Sequence, residues 1–293
     1  MSLKTPKSLK EIWTQLWEAL MPMYEEQEAK TIGKWALEHI SGHSWQHMLI
    51  HEEDFSPENL QQLEEMRSRL IKGEPIQYVL EEAHFYGRIF TVRPGVLIPR
   101  RETEELVEWV LADLIPDLAH VPSILDIGTG TGCIPISLER ELNKKTLVSY
   151  ARGVDISETA LEVARENAET LGAKVGLDQL DIFQADEASY AELDVLVSNP
   201  PYVPISDKAE MHINVTEYEP EQALFVEDDD PLIFYKRITQ LGLHWLKSGG
   251  MLYFEVYADN ALQVKQMMEL EGYREVTIKK DMQGRDRMLR GTK

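Results

Sequence analysis

Two stretches of the chain combine residue types that do chemistry with spacings that hold them still. The first is Ser198-Asn199-Pro200-Pro201-Tyr202, which follows the apolar run Val195-Leu196-Val197. Proline lacks an N–H and locks φ, and a residue before proline is pushed out of the helical region, so Asn199, Pro200 and Pro201 make a stiff polar tip. The second is Asp126-Ile127-Gly128-Thr129-Gly130-Thr131-Gly132. Alternate glycines let the backbone turn tightly and let a ligand approach it with no Cβ between. A dinucleotide loop needs G-x-G-x-x-G, and the third glycine of that pattern would fall on Cys133. No Gly-Lys-Ser/Thr of a P-loop is present either, which argues against a triphosphate. Asp155, in Gly153-Val154-Asp155-Ile156-Ser157, sits where a carboxylate accepts both hydroxyls of a ribose; its plainer role is an acid at a helix N-terminus. Asp181-Ile182-Phe183 adds an acceptor for an adenine amine and a wall for its ring.

Such residues need strands that end together. From Ser123 onward, strand and helix patterns alternate: strands at Ser123 to Ile127, Leu147 to Val154, about Gln179 to Phe183, Leu193 to Ser198 and Met251 to Val256, with helices at Cys133 to Leu142, Ser157 to Leu171 and Leu232 to Leu246. This rhythm predicts a mostly parallel sheet with helices on both faces, whose ligands bind beyond the carboxyl ends of the strands. Before it, Leu9, Ile12, Trp13, Leu16, Trp17 and Leu20 recur at helical spacing, as do Ile32, Trp35, Ala36 and Ile40; another helix opens at Ser56-Pro57. From Ile76 to Val92 the period approaches two, and Pro94-Gly95 supplies a turn, so a β-hairpin is expected to link two domains. The division expected is 1–75 helical, 76–99 hairpin and 100–293 α/β.

Composition narrows the partners. At 293 residues, two domains of roughly 100 to 200 residues are expected. The chain carries 51 acidic and 30 basic residues, a net charge of −21, whereas grip on a phosphate backbone comes from Lys and Arg. A protein partner, possibly a basic one, is favoured over stable nucleic-acid binding. One cysteine excludes an internal disulfide, no apolar run reaches the ~18 residues of a membrane span, and the N-terminus lacks a secretory core, so a cytoplasmic protein with no membrane partner is expected.

Asp-x-Gly-x-Gly-x-Gly, an acid after the second strand and Asn-Pro-Pro-Tyr after the fourth together resemble the class I S-adenosylmethionine-dependent methyltransferases. The last motif narrows the likeness to enzymes that methylate a planar, conjugated nitrogen. The resemblance implies that the Asn199 side-chain oxygen and the Pro200 carbonyl bind the two hydrogens of that nitrogen, with Tyr202 packed on its plane. Further segments, Gly73-Glu74-Pro75-Ile76-Gln77-Tyr78, Phe85-Tyr86-Gly87, Ile98-Pro99-Arg100 with Glu102-Thr103-Glu104, Tyr218-Glu219-Pro220 and Gly284-Arg285-Asp286-Arg287, are similar to those of the release factor glutamine methyltransferases, the PrmC/HemK family. That likeness implies a Rossmann-like domain with a seven-stranded sheet. Its S-adenosyl-L-methionine contacts fall on Gly128, Thr129, Gly130, Thr131, Gly132, Asp155, Phe183 and Asn199, and its substrate loop on Asn199, Pro200, Pro201 and Tyr202, with Asn199, Pro200 and Tyr202 catalytic. S-adenosyl-L-homocysteine would be the product, the glutamine of the Gly-Gly-Gln motif in class I peptide-chain release factors the target, the N-terminal helices the recognition domain, and a monomer the working unit. Three positions depart from the family's usual residues: Glu81 for glycine, Arg101 for proline, and Phe183 for tryptophan or leucine.

Alternatives from the same motifs are a glutamine methyltransferase of a large-subunit ribosomal protein, a DNA adenine methyltransferase, and a cofactor-binding scaffold without turnover, which would have no need of Asn-Pro-Pro-Tyr. His39, His43, His47 and His51 recur every four residues, but Ser41-Gly42 interrupts the helix, and no metal is expected. Cys133, at a helix start that lowers thiol pKa values, is read as packing. The acidic run Glu227 to Asp230 is read as a solvated turn before a helix.

Overall fold

Apolar residues at helical spacing build residues 8–51 and 54–80 into a small bundle. The structure, a computed structural model, describes residues 8–51, 54–115, 121–144 and 150–293. Helix α1 (Leu9–Leu20) starts at Ser8, whose Oγ accepts from the Glu11 N–H at 3.3 Å, and α2 (Glu26–Ser41) stops at Gly42, left-handed at φ +71°. After α3 (Trp45–His51), α4 (Pro57–Leu70) is capped by Ser56, which accepts from the Asn59 N–H at 3.1 Å. Leu16, Leu20, Leu37, Met48, Leu63 and Leu70 fill the core between them. Ile76–Leu80, expected to be extended, is instead a turn of helix, α5: Pro75 stands at its N-cap, and Ile76 and Val79 enter the helical core. Five residues, apolar but for Gln77, carry no decisive period, and burial on one side selected the helix. Glu81 closes α5 in the left-handed region at φ 58°, a conformation glycine adopts without cost. The chain later returns to this unit with His212–Tyr218. There His212 stacks on Tyr24 and meets the Met23 carbonyl at 3.0 Å, and the Tyr218 hydroxyl donates to the Lys72 carbonyl. The His43, His47 and His51 rings lie tilted against one another with centroid separations of 4.3 and 4.2 Å, while His39 lies 3.6 Å from Glu82. Among the described residues no three His, Cys, Asp or Glu are grouped to hold a metal ion.

The second unit comprises Ala83–Met211 and Glu219–Lys293. Its hairpin, narrower than expected, pairs β1 (Glu82–Phe85) with β2 (Arg88–Thr91) through Tyr86-Gly87, both at positive φ as a two-residue hairpin loop requires. Then follow α6 (Arg101–Leu114), β3 (Ser123–Ile127), α7 (Cys133–Lys144), β4 (Tyr150–Asp155), α8 (Glu158–Thr170), β5 (Val175–Gln179) and β6 (Leu193–Ser198). Next in sequence come β7 (Val203–Pro204), α9 (Ile213–Thr216), which belongs to the first unit, α10 (Glu221–Leu224) and β8 (Phe225–Val226); β7 and β8 pair in parallel. The chain ends with α11 (Ile233–Trp245), β9 (Leu246–Glu255), α12 (Ala261–Glu271), β10 (Arg274–Lys280) and β11 (Asp286–Thr292).

The expected seven-stranded sheet forms in the order β10-β11-β9-β6-β3-β4-β5, with β11 antiparallel to its neighbours. Alternate strand residues supply its two cores. Leu125, Leu196, Leu252 and Phe254 pack under α11 and α12, while Ile124, Val195, Val197 and Tyr253 pack under α6 and α7. Strand β5 lies four residues earlier than expected, and the Gln179 to Phe183 segment is largely the turn after it. As an edge strand with little full burial, β5 lacks the apolar run that marks β3 and β6. Strand β9 is longer than Met251 to Val256, starting where α11 stops. The start expected for β4, Leu147, lies outside the described residues.

Sheet register then aligns the chemistry. Ile127 pairs with both Val154 and Ser198, and Ser198 pairs with Phe254. The next residue on each strand is Gly128, Asp155, Asn199 and Glu255. Four separate segments therefore deliver their chemical groups along one row, where the strand order reverses beside β3.

Candidate active site

The glycine loop is built by backbone geometry. Gly128, Gly130 and Gly132 all have left-handed φ, of 73°, 54° and 77°. The loop is anchored by the Gly128 and Thr129 N–H groups, which donate to the Val154 carbonyl at 2.9 and 3.0 Å. Its glycines differ in what surrounds them. A Cβ on Gly132 would come within 2.9 Å of Ile136 Cδ1, whereas one on Gly130 would meet no atom within 4 Å. Gly132 is needed for packing and Gly130 faces open space, as a ligand cradle requires. Thr129 is buried against Gly153, where a Cβ would stand 2.5 Å from its hydroxyl.

Asp155 ends β4 with its carboxylate held from the protein side: Oδ2 accepts from the Gly130 N–H at 2.8 Å and Oδ1 from the Ser157 N–H at 2.9 Å. Burial raises its pKa, and hydrogen bonds from the Ser157, Gly130 and Ile156 backbone offset part of that rise. Each oxygen keeps lone pairs for a hydroxyl donor. Asp181 is less available than expected, since its oxygens accept from the Phe183 N–H and the Gln184 amide. Phe183 is exposed and meets Phe234 edge-on at 5.3 Å; exposed Ile156 lies across the same cavity, which measures about 270 Å³. Below the loop, fully buried Asp126 has no well-formed hydrogen bond to either oxygen. Burial pushes its carboxyl up to about 7; the Thr129 hydroxyl counters part of this and the Asp155 charge adds to it. Cys133, read from the sequence as packing, is buried, and burial pushes its thiol up to about 12.

Asn199, Pro200 and Pro201 line the same cavity as the glycine loop, Asp155 and Phe183. A Cβ on Gly128 would lie 4.0 Å from the Asn199 carbonyl oxygen, so the two loops nearly touch. Ser198 donates to the Ile127 carbonyl at 2.7 Å and the Tyr202 N–H to the Leu224 carbonyl at 3.2 Å, which pins the segment at both ends. Asn199 Nδ2 donates to Thr103 Oγ1 at 3.3 Å, Thr103 donates to Glu255 Oε2 at 2.6 Å, and the Tyr202 hydroxyl donates to Glu255 Oε1 at 3.1 Å. Nearby, buried Glu219 accepts from the Ile98 N–H at 3.1 Å and from Arg100 at 2.6 Å.

Of the residues expected in the site, Gly128, Thr129, Gly130, Thr131, Asp155, Phe183, Asn199, Pro200 and Pro201 share one cavity; Gly132 packs against Ile136 and Ala164 beneath the loop, and Tyr202 is held away from the lining by Glu255. Open space over Gly130, the Asp155 carboxylate on the cavity wall and apolar walls at Ile156 and Phe183 suit a nucleoside with an extended polar tail. Profiles of two families match this chain: "Methyltransferase domain" over residues 122–276 and "PrmC N-terminal domain" over residues 13–80. A release factor glutamine methyltransferase of Bacteroides thetaiotaomicron is 47% identical over 78% of this chain and 79% of its own length. That of Flavobacterium psychrophilum is 38% identical over 96% and 98%.

The chain belongs to the release factor glutamine methyltransferase family.

Solved structures extend the fold comparison. The hMettl16 catalytic domain in complex with MAT2A 3'UTR hairpin 1 superposes with TM-score 0.53 at 18% identity, covering 81% of each chain. A Thermus thermophilus 16S rRNA methyltransferase in complex with AdoMet and guanosine gives 0.50 at 17%, over 72% of this chain and 49% of the other. At such identities the likeness concerns the Rossmann-like methyltransferase fold alone. Against the family's usual residues, two departures now have a physical meaning. Glu81 occupies a left-handed cap and Arg101 the first position of α6, where glycine and proline respectively cost least. Sequence reasoning missed Glu255 as a site residue. Its signal was an acid closing the apolar strand Leu252-Tyr253-Phe254, the same signal that marked Asp155.

Proposed function

We propose that this protein transfers a methyl group from S-adenosyl-L-methionine to the side-chain amide nitrogen of the glutamine in the Gly-Gly-Gln motif of class I peptide-chain release factors. The observation that carries it is the coincidence of Asn199 and Pro200 with the glycine loop and Asp155 on one row of strand ends. Gly128 to Gly132 would cradle the donor's amino-acid tail, Asp155 its ribose, and Ile156 with Phe183 its base; when bound, the donor supplies an electrophilic methyl on a sulfonium. Asn199 Oδ1 and the Pro200 carbonyl accept the two hydrogens of the glutamine amide and turn the face of its nitrogen toward that methyl. As the nitrogen pyramidalises and gains positive charge, both hydrogen bonds become charge-assisted, so the loop fits the transition state better than the ground state. The double proline removes most of the motion that would otherwise be lost on orientation.

Tyr202 is held by Glu255, and burial with that carboxylate keeps its hydroxyl well above the usual tyrosine pKa. It therefore stays protonated and acts by packing, while the surplus proton of the product leaves after transfer. We further propose that the helical unit recognises the protein substrate, that the acidic surface favours a basic partner, and that the protein works in the cytoplasm as a monomer. No helix among the described residues is long and apolar enough to cross a membrane.

Purified protein with labelled donor and a release factor, its Gln→Ala mutant, a large-subunit ribosomal protein or DNA as acceptor tests this. Label is expected on the release factor alone, and label retained by the mutant would rule out the assigned target.

A further inference from the structure

Asn199 can only do its proposed work if its amide points the right way, and an amide has two ways to point. The oxygen must face the cavity to accept an N–H; the reversed carboxamide offers a second donor to a substrate that also donates. Rigid prolines fix the backbone but leave this choice open.

The choice is made behind the loop. Glu255 is buried at the end of β9, with a carboxylate that can only accept hydrogen bonds when ionised. Its Oε2 takes the single proton of Thr103, 2.6 Å away on α6, and its Oε1 takes that of Tyr202. With its proton committed, Thr103 has only lone pairs left for Asn199, and it lies 3.3 Å from Nδ2. We infer that Thr103 and Glu255 are positioning residues that set the polarity of the Asn199 amide, passing it along the series carboxylate, hydroxyl, carboxamide so that Oδ1 faces the substrate. Burial raises the Glu255 pKa above the usual glutamate value, and Glu102 on α6 adds to the rise; the Thr103 and Tyr202 hydroxyls and Arg287 on β11, itself held by Asp281 at 3.4 Å and by the Val256 carbonyl at 3.2 Å, offset part of it in favour of the ionised form, and the Tyr235 hydroxyl is occupied by the Glu255 backbone carbonyl. Were the carboxyl protonated toward Thr103, every donor in the series would reverse and Asn199 would present Nδ2. The inference rests on the reading of the protein as a glutamine methyltransferase.

Thr103→Val keeps the shape and removes the acceptor; Thr103→Ser keeps the acceptor. In single-turnover methylation of a release factor, Thr103→Val should lower the rate about tenfold through lost preorganisation. Its dissociation constant for S-adenosyl-L-methionine should stay within about twofold; its melting temperature should fall, because Glu255 Oε2 loses its buried donor, so rates are compared well below that temperature, and Thr103→Ser should retain most of the rate and the stability. A valine variant within threefold of wild type, or a serine variant as slow as the valine one, overturns the relay. A wild type that binds donor but leaves the release factor unmethylated defeats the functional reading instead. The relay is then judged without turnover, by neutron diffraction from deuterated crystals. Deuterium on the Asn199 amide should face Thr103, and deuterium facing the cavity overturns it.

Discussion

Asp126 offers a test of the site's electrostatics that needs no substrate. Its carboxyl is fully buried beneath the glycine loop, and burial raises its pKa from 3.8 to about 7. The folded protein thus holds a proton that the unfolded chain releases, so this group's contribution to stability is complete below pH 3.8 and is lost as pH rises through 7. A gap of about three units at 1.36 kcal/mol each gives a loss of roughly 4 kcal/mol in alkaline solution. Between about pH 5.5 and about pH 8.5 only the upper half of that window is crossed, and the expected change is about 2 kcal/mol. Asp126→Asn cannot titrate. Whatever constant cost its amide brings, the stability of the variant relative to wild type should rise by about 2 kcal/mol over that range, measured by urea unfolding without cofactor. Most other titrations cancel in the difference; Asp155, whose charge helps to raise Asp126, is the coupled group. A difference that stays flat with pH, or falls, would refute the assignment of a buried, proton-holding carboxyl.

Four further outcomes follow from the geometry. Asn199→Ala should leave donor affinity largely intact and lower turnover by on the order of 100-fold, as loss of an oriented transition-state hydrogen bond does; near-normal turnover would defeat the two-acceptor mechanism. Gly132→Ala combines φ 77° with a 2.9 Å approach to Ile136 and should cost about 1–3 kcal/mol of stability by denaturant titration. Gly130→Ala, with nothing within 4 Å of its Cβ, should cost less stability yet weaken donor binding by calorimetry. Glu81→Gly and Arg101→Pro should each stabilise by about 0.5 kcal/mol, because one relieves a left-handed cap and the other preorganises a first helical turn; a fall in melting temperature for either would count against the cap assignments.

Local chemistry was readable where it lies in consecutive residues. Gly128, Gly130 and Gly132 needed left-handed backbone, Asn199-Pro200-Pro201 needed stiffness, and the buried strands β3 and β6 had continuous apolar runs. Where the signal was short or half-buried it misled: Ile76–Leu80 took its helix from packing, and the edge strand β5 was displaced from its expected position. Glu255 is separated from Asn199 by more than fifty residues, and only the pairing of Ser198 with Phe254 brings their strand ends level. Backbone preference and side-chain chemistry are properties of a few neighbouring residues, so the chain alone determined the loops, and the resemblance of their motifs to those of known methyltransferases implied the reaction class. Which carboxylate stands behind Asn199, and which way that amide points, depends on strand order and register; these arise when separate segments bury one common core, and only the folded sheet decided them.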